Sequence, residues 1–188
     1  MRIRSNTYEK VCHLIASNIR DKVKHQSHVV LGLATGSTPI GIYEKLSKMK
    51  NTNFGDTITF NLDEYVGIDK HHDQSYQYFM NKHLFSNLNF RKHYFPTEEN
   101  WNEYDLMIKN SGGIDIQILG IGTNGHIAFN EPGSNRYSST RIVDLTENTI
   151  KDNSRFFDNI EDVPTKAYTM GLSSIMGAEK IYLVAVGK

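Results

Sequence analysis

Little in this sequence supports a disulfide, a secretion signal or a membrane segment. Its 188 residues include one cysteine, Cys12, so no disulfide can form within the chain. Cys12 lies among apolar positions of a predicted helix, which favours a buried, inert thiol. The N-terminal segment lacks the apolar core of a signal peptide, and no apolar run is long enough to span a bilayer. We therefore expect a soluble protein of a reducing cytoplasm.

An excess of charge of either sign is also missing. Lys and Arg together number 21, and so do Asp and Glu. The basic residues form no cluster of the kind that a nucleic acid requires. A neutral surface also disfavours binding to an anionic membrane. We therefore expect neither nucleic acid nor a membrane as the partner.

What the sequence does contain is an alternation of helical and strand patterns. Apolar residues at helical spacing predict helices over residues 6–24, 39–49, 75–85, 99–110 and 146–157. Short apolar runs predict strands over 29–34, 56–67, 114–122, 140–145 and 180–187, the last one buried like the first. The alternation predicts one α/β domain over residues 1–188, a mainly parallel, doubly wound sheet with helices on both faces.

Polar, glycine-rich groups follow three of the predicted strands. They are TGSTP at 35–39, DEYVG at 63–67 and GTNGH at 122–126. Ligands of an open parallel sheet bind at the carboxyl ends of its strands. We therefore expect the three groups to converge on one cleft.

The third group belongs to the stretch GIGTNGHIAFNEPGS at 120–134, which has three interpretations. Its first glycines match the spacing of a dinucleotide-binding turn, but that motif needs a helix directly afterwards, and Pro132 follows instead. A glycine-rich turn without chemistry leaves the crowding of Asn124, His126 and Glu131 unexplained. The third interpretation is proton transfer by the histidine, because imidazole is the side chain best suited to accept and return a proton under neutral conditions.

The other two groups contain candidates for binding phosphate and for moving a proton. Backbone N–H groups at Gly36 and Ser37, two hydroxyls and a helix start can hold a phosphate monoester. Capping of that helix by Ser37 and Thr38 explains the same residues equally well. Asp63 and Glu64 point to opposite faces of a strand, so one of them can enter a given cleft. A shielded carboxylate there can remove a proton next to a carbonyl, and a solvated strand end is the alternative.

Two further groups each have a chemical and an ordinary explanation. The run His71, His72 and Asp73 raises a metal-site hypothesis, but adjacent histidines diverge and no further ligands stand at a recognisable spacing. We therefore expect no metal. Arg155 is either a surface helix residue or a planar, permanently charged partner for a phosphate.

Together these motifs resemble the glucosamine-6-phosphate deaminases. LGLATGSTP, FNLDEYVG, GIGTNGHIAFNEPGS and NSRFFD occur in the order and spacing of that family. The resemblance implies a modified doubly wound sheet and a cytoplasmic enzyme of amino-sugar catabolism, classed as a hydrolase. Such an enzyme converts D-glucosamine 6-phosphate and water to D-fructose 6-phosphate and ammonia, without an organic cofactor or a metal. A homo-oligomer is compatible with the resemblance.

The same resemblance implies roles for individual residues. Asp63 matches the base that moves a proton between C2 and C1, and His126 matches the residue that opens the pyranose ring. Asn124 and Glu131 match the partners that orient this histidine. Asn124 cannot carry charge, but it can fix the imidazole tautomer. Binding of the phosphate and the nearby sugar is implied for Thr35, Gly36, Ser37, Thr38 and Arg155.

The family pattern continues beyond the last residue of this sequence. The phosphate-binding lysine of the family falls just after Lys188 by register, so we expect a C-terminally truncated chain whose final sheet elements are missing. Two other functions stay open. One is a non-catalytic sugar-phosphate-binding domain. The other is a hydrolase like the 6-phosphogluconolactonases, which lack the DEYVG carboxylate and the FNEP continuation.

Overall fold

The computed structural model describes residues 6–154 and 157–187, without the side chain of Asp152. The strands in these residues are β1 (Val29–Leu33), β2 (Thr57–Asn61), β3 (Asp63–Tyr65), β4 (Lys92–Tyr94), β5 (Ile116–Leu119), β6 (Arg141–Asp144), β7 (Lys166–Thr169) and β8 (Lys180–Leu183). The α-helices are α1 (Tyr8–His25), α2 (Ser37–Ser47), α3 (Tyr76–Met80), α4 (Tyr104–Asn110), α5 (Glu147–Ser154) and α6 (Leu172–Met176). A π-helical turn, Asn81–Phe85, continues α3, and a short 3-10 helix covers Ile160–Asp162.

The central sheet is parallel throughout and has the strand order β4-β2-β1-β5-β8. Strand β1 is buried along its whole length, because its residues alternate between two apolar cores. Leu31 and Leu33 pack with residues of α1 and α2 on one face, whereas Val30 packs with residues of α4 and α6 on the other. The predicted doubly wound α/β class is confirmed.

The strand predicted over 56–67 is in fact two strands in different sheets. Strand β2 belongs to the central sheet, whereas β3 pairs antiparallel with β7 in a second sheet of order β3-β7-β6. Leu62 forms the junction: its N–H donates to the carbonyl of Leu33 (3.0 Å), and its carbonyl accepts the N–H of Met170 (2.7 Å). The prediction of one strand was wrong, because a change of sheet leaves no mark in an unbroken run of strand-forming residues.

Strand β8 lies at an edge of the central sheet, and the prediction that it is buried was also wrong. It pairs with β5 on one side, and the side chain of Leu183 is 52% exposed. An apolar run shows that a strand forms, but not whether neighbours cover it. None of the helices in the described part of the chain has the length and apolar character of a membrane span.

Candidate active site

A cleft of about 440 Å³ lies at the carboxyl ends of β1, β2 and β5. Its walls include Thr35, Gly36 and Ser37 after β1, Asp63 after β2, and residues of the segment 120–126 after β5. In the central sheet, β2 lies on one side of β1 and β5 lies on its other side, so the chain changes direction along the sheet at β1. Such a switch point is where open α/β sheets bind ligands. The three polar groups thus meet in one cleft.

The loop after β1 brings the start of α2 to this cleft. Gly36 is the N-cap residue of α2, and its φ of 94° is a left-handed conformation that favours glycine. In the described structure this cap position makes no side-chain hydrogen bond, and Ser37 and Thr38 lie inside the first turn. Capping by these two residues therefore does not explain the loop. The first N–H groups of α2 have no acceptor within the helix and suit an anion.

The adjacent carboxylates of β3 have different surroundings. Asp63 lines the cleft, yet the residue is only 7% exposed to solvent. Burial, together with the nearby charge of Glu64, raises the pKa of Asp63 to about 8. In the free protein this carboxyl therefore holds its proton at neutral pH for most of the time.

Glu64 binds α3 instead of facing the cleft. Its carboxylate accepts hydrogen bonds from the backbone N–H groups of Tyr65 (3.0 Å), Tyr76 (3.0 Å) and Gln77 (2.9 Å), and the last two begin α3. Burial raises the pKa of Glu64, against the lowering effect of these three hydrogen bonds. Glu64 thus fixes the position of α3, from which Tyr76 reaches the wall of the cleft.

His126 stands at one end of a chain of hydrogen bonds. Its Nδ1 lies 2.8 Å from Oδ1 of Asn124, whose Nδ2 donates to Oε2 of Glu131 at 2.7 Å. The orientation of the amide is fixed, because Oδ1 also accepts the backbone N–H of His126 (3.1 Å) and a carboxylate can only accept. Nδ1 of His126 therefore carries the imidazole proton, and Nε2 keeps a lone pair with which it can act as a base.

Gly122 leaves the space that the imidazole of His126 occupies. A Cβ atom added at residue 122 would overlap three ring atoms of His126. The glycine pattern of this loop is thus explained by room for the histidine. No pyrophosphate is needed to account for it.

Thr169 connects the strand of Asp63 to the loop after β5. In the β3–β7 ladder Thr169 is the register partner of Asp63, and its Oγ1 accepts the backbone N–H of Phe129 at 3.1 Å. A second link follows one residue later, where Nδ2 of Asn130 donates to the carbonyl of Met170 at 2.9 Å. One strand therefore positions both segments that carry the candidate acid–base groups.

The predicted site residues fall into four groups. The cleft is lined by Thr35, Gly36, Ser37, Asp63 and His126. Asn124 and Glu131 stand behind the imidazole. Thr38 lies in the first turn of α2, where its carbonyl accepts a hydrogen bond from the Tyr8 hydroxyl (2.7 Å). Arg155 lies outside the described residues.

Three residues of the cleft wall, Tyr76, Thr149 and Asn153, were not predicted from the sequence. Thr149 and Asn153 are four residues apart in α5, so they lie on one face of that helix. The sequence does contain a pattern that could have identified them. It consists of two polar residues at this spacing in the helix predicted to follow the loop of His126 at 120–134. For Tyr76 the sequence offers no such pattern, because an aromatic residue in a helix is more often part of a core.

The histidine pair near residue 72 has ordinary partners. Nδ1 of His72 accepts the backbone N–H of Gln74 at 3.1 Å, and its ring stacks on Phe157 with 5.9 Å between centroids. Over residues 6–154 and 157–187, no group of three or more His, Cys, Asp and Glu residues is arranged to hold a metal ion.

Fold and site together define an open α/β protein with an acid–base cleft at the carboxyl edge of its parallel sheet. Residues 3–188 match the family model of glucosamine-6-phosphate isomerases/6-phosphogluconolactonase. A glucosamine-6-phosphate deaminase of Mycoplasma mycoides subsp. mycoides is 52% identical over 187 residues, which cover 95% of this chain and 77% of the relative. The chain belongs to the glucosamine-6-phosphate isomerase/6-phosphogluconolactonase family.

Solved structures agree with this assignment. A monomeric glucosamine-6-phosphate deaminase has a TM-score of 0.89 and 38% identity, and the match covers 96% of this chain and 80% of that chain. A 6-phosphogluconolactonase from Shewanella baltica shares the fold, with a TM-score of 0.74 and 22% identity over 98% of this chain and 80% of that chain.

Proposed function

We propose that this protein converts D-glucosamine 6-phosphate and water to D-fructose 6-phosphate and ammonia. The observation that carries the proposal is that Asp63 and His126 line one cleft beside the start of α2. The names of the 52% identical relative and of the 38% identical structure support it, since both are glucosamine-6-phosphate deaminases.

The phosphate of the substrate would bind at the start of α2. Backbone N–H groups there and the hydroxyls of Thr35, Ser37 and Thr38 offer donors, and the helix dipole favours an anion. From the resemblance we assign Arg155 to the same anion. Because the phosphate is remote from the reacting carbons, its contacts serve to align C1 and C2 with the acid–base groups.

Ring opening is the task of His126. Nε2 takes the proton of the O1 hydroxyl, the bond between C1 and O5 breaks, and the imidazolium returns the proton to O5. Asn124 and Glu131 keep Nδ1 protonated during this exchange, so that Nε2 is the nitrogen that reacts. The step produces an aldehyde at C1, which makes the proton on C2 acidic.

Asp63 then moves a proton from C2 to C1. As its carboxylate removes the C2 proton, a proton passes from the C2 ammonium group to O1 and an enolamine forms. Return of the C2 proton from Asp63 to C1 leaves an alcohol at C1 and a protonated imine at C2. Water hydrolyses the imine to the ketone and ammonia. Only this last step is a hydrolysis. The transfer of the proton from C2 to C1 is an isomerisation, the reaction type that the family description names.

The raised pKa of Asp63 fits a base that acts only on a bound substrate. At neutral pH the free carboxyl is largely protonated, with a pKa of about 8. The ammonium group of a bound aminosugar would lie beside it and favour the carboxylate form. The positive charge that identifies the substrate thus also activates the base.

Ammonia release tests the proposal. The protein is expected to release ammonia and fructose 6-phosphate in equal amounts from glucosamine 6-phosphate. Glucosamine without the phosphate should show a kcat/KM lower by about 10³-fold, because it lacks the group that aligns the reacting carbons. Binding of the sugar phosphate without turnover, or hydrolysis of 6-phosphogluconolactone in place of ammonia release, would contradict the proposal.

Replacement of Gly122 by alanine is expected to lower kcat about 100-fold, because the new methyl group displaces the imidazole of His126. Steady-state kinetics of ammonia release measure the effect. Gly187→Ala is the matched control, since a Cβ at residue 187 meets no atom within 4 Å. Equal kcat values in the two variants would show that the position of the ring does not depend on Gly122.

A further inference from the structure

The hydrogen bonds that orient His126 continue beyond Glu131. Oε1 of Glu131, the oxygen not used by Asn124, accepts a hydrogen bond from the hydroxyl of Thr149 at 3.3 Å. Thr149 belongs to α5, which follows β6, the first strand after the loop that carries His126. Its Oγ1 lies 2.9 Å from Oγ1 of Thr146, and the latter also accepts the backbone N–H of Thr149 at 3.2 Å. Side chains from two separate segments thus form one chain.

The hydrogen atoms of this chain can be placed by elimination. A carboxylate has no hydrogen to donate, so Asn124 and Thr149 both donate to Glu131. Thr149 has one hydroxyl hydrogen and directs it to Glu131, so the hydroxyl of Thr146 donates to Thr149. At the other end, Oδ1 of Asn124 accepts Nδ1–H of His126. Each donor has one acceptor, and Glu131 is held from both sides.

We propose that Thr149 is a positioning residue for His126. By holding the free oxygen of Glu131 from α5, it keeps the Asn124 amide in the orientation that protonates Nδ1 and leaves Nε2 as the base. The inference rests on the proposed function and deepens it, because it adds a residue from outside the histidine loop. Thr149 also lines the cleft together with Asn153, so α5 is both a wall of the site and the outer support of the histidine.

Three variants separate this role from a contribution to folding alone. Thr149→Val keeps the shape and removes the hydroxyl, whereas Thr149→Ser keeps the hydroxyl and removes the methyl group. Valine and threonine have similar helix propensities, so α5 should form in either case. Thr165→Val makes the same change at an exposed threonine outside the cleft and serves as the matched control.

Kinetics provide the first measurement. We expect Thr149→Val to lower kcat about 10-fold and to change KM less than about 2-fold, because the hydroxyl acts through the imidazole and not on the substrate. Thr149→Ser should restore kcat, and Thr165→Val should match the wild type. If Thr149→Val has the wild-type kcat, the proposal is overturned.

Heteronuclear NMR of the imidazole nitrogens provides a measurement that does not depend on turnover. A His126→Gln variant identifies the resonances of His126. We expect Nδ1 to carry the proton in the wild type and in Thr149→Ser, and a mixture of tautomers in Thr149→Val. If the wild type releases no ammonia, the proposed function fails, and the NMR spectrum alone then tests the role of Thr149. Unchanged nitrogen signals in Thr149→Val would then overturn the role of Thr149.

Discussion

Replacing Asp63 with asparagine is expected to lower kcat for ammonia release about 10³-fold, with little change in KM. The amide has nearly the same shape as the carboxyl but cannot accept the proton of C2. The phosphate contacts lie at a different part of the cleft, so binding of the substrate should persist. Steady-state kinetics and calorimetric titration measure the two quantities. An undiminished rate in Asp63→Asn would remove this residue from the mechanism.

The same substitution should stabilise the fold at high pH. In the wild type, the folded state keeps a proton on Asp63 up to a pKa of about 8, whereas the unfolded chain releases it near the ordinary value of 3.8. Raising the pH through this window therefore favours the unfolded wild-type chain, and asparagine has no such proton to lose.

The stability difference between Asp63→Asn and the wild type is thus expected to grow from pH 4 to pH 8. At the upper end, the variant should exceed the wild type by on the order of 5 kcal/mol in free energy of unfolding. Urea denaturation over this range of pH measures the difference. A difference that does not change with pH would show that the carboxyl is already ionised in the free protein.

Replacing the neighbouring Glu64 with alanine is expected to lower the free energy of unfolding by about 3 kcal/mol, because the backbone N–H groups at the start of α3 lose their acceptor. The stability effect is opposite in sign to that of Asp63→Asn, although the two residues are adjacent. The kcat should also fall, because α3 carries Tyr76 in the cleft wall. Urea denaturation at neutral pH measures the first effect.

Two controls define what Glu64 contributes. Glu64→Gln keeps one carbonyl oxygen as an acceptor but turns an amide NH₂ group towards a backbone N–H, so an intermediate loss of stability is expected. Glu99→Ala removes an exposed glutamate and should leave stability within about 0.5 kcal/mol of the wild type. If Glu64→Ala is as stable as Glu99→Ala, the hydrogen bonds to α3 do not support the fold.

The central sheet could be predicted from the sequence, but the second sheet could not. Strands β1 and β5 are apolar on both faces, and only a sheet covered on both sides produces such runs. Strand β7 contains Lys166, Tyr168 and Thr169, which do not form an apolar run, and it was not predicted. The change of sheet at Leu62 is a matter of which strands pair, and one strand's residues do not specify its partners.

For the candidate site, the sequence indicated the acid–base residues better than it indicated the residues that hold them in position. Asp63 and His126 were predicted because each stands in a polar group directly after an apolar strand. The alternation of a strand correctly separated Asp63 from Glu64, but it gave no indication that Glu64 binds α3. Thr149 was not predicted because its contact with Glu131 joins two segments that are brought together only by the fold.

The two links from Thr169 and Met170 have a mechanical consequence. Both acid–base segments are attached to a single strand of the smaller sheet, while the phosphate-binding start of α2 belongs to the larger one. A displacement of the smaller sheet relative to the larger one would therefore carry Asp63 and the segment of Phe129 and Asn130 in the same direction. A substitution that shifts β7 is thus expected to disturb the distance between these groups and the start of α2 more than their distance from each other.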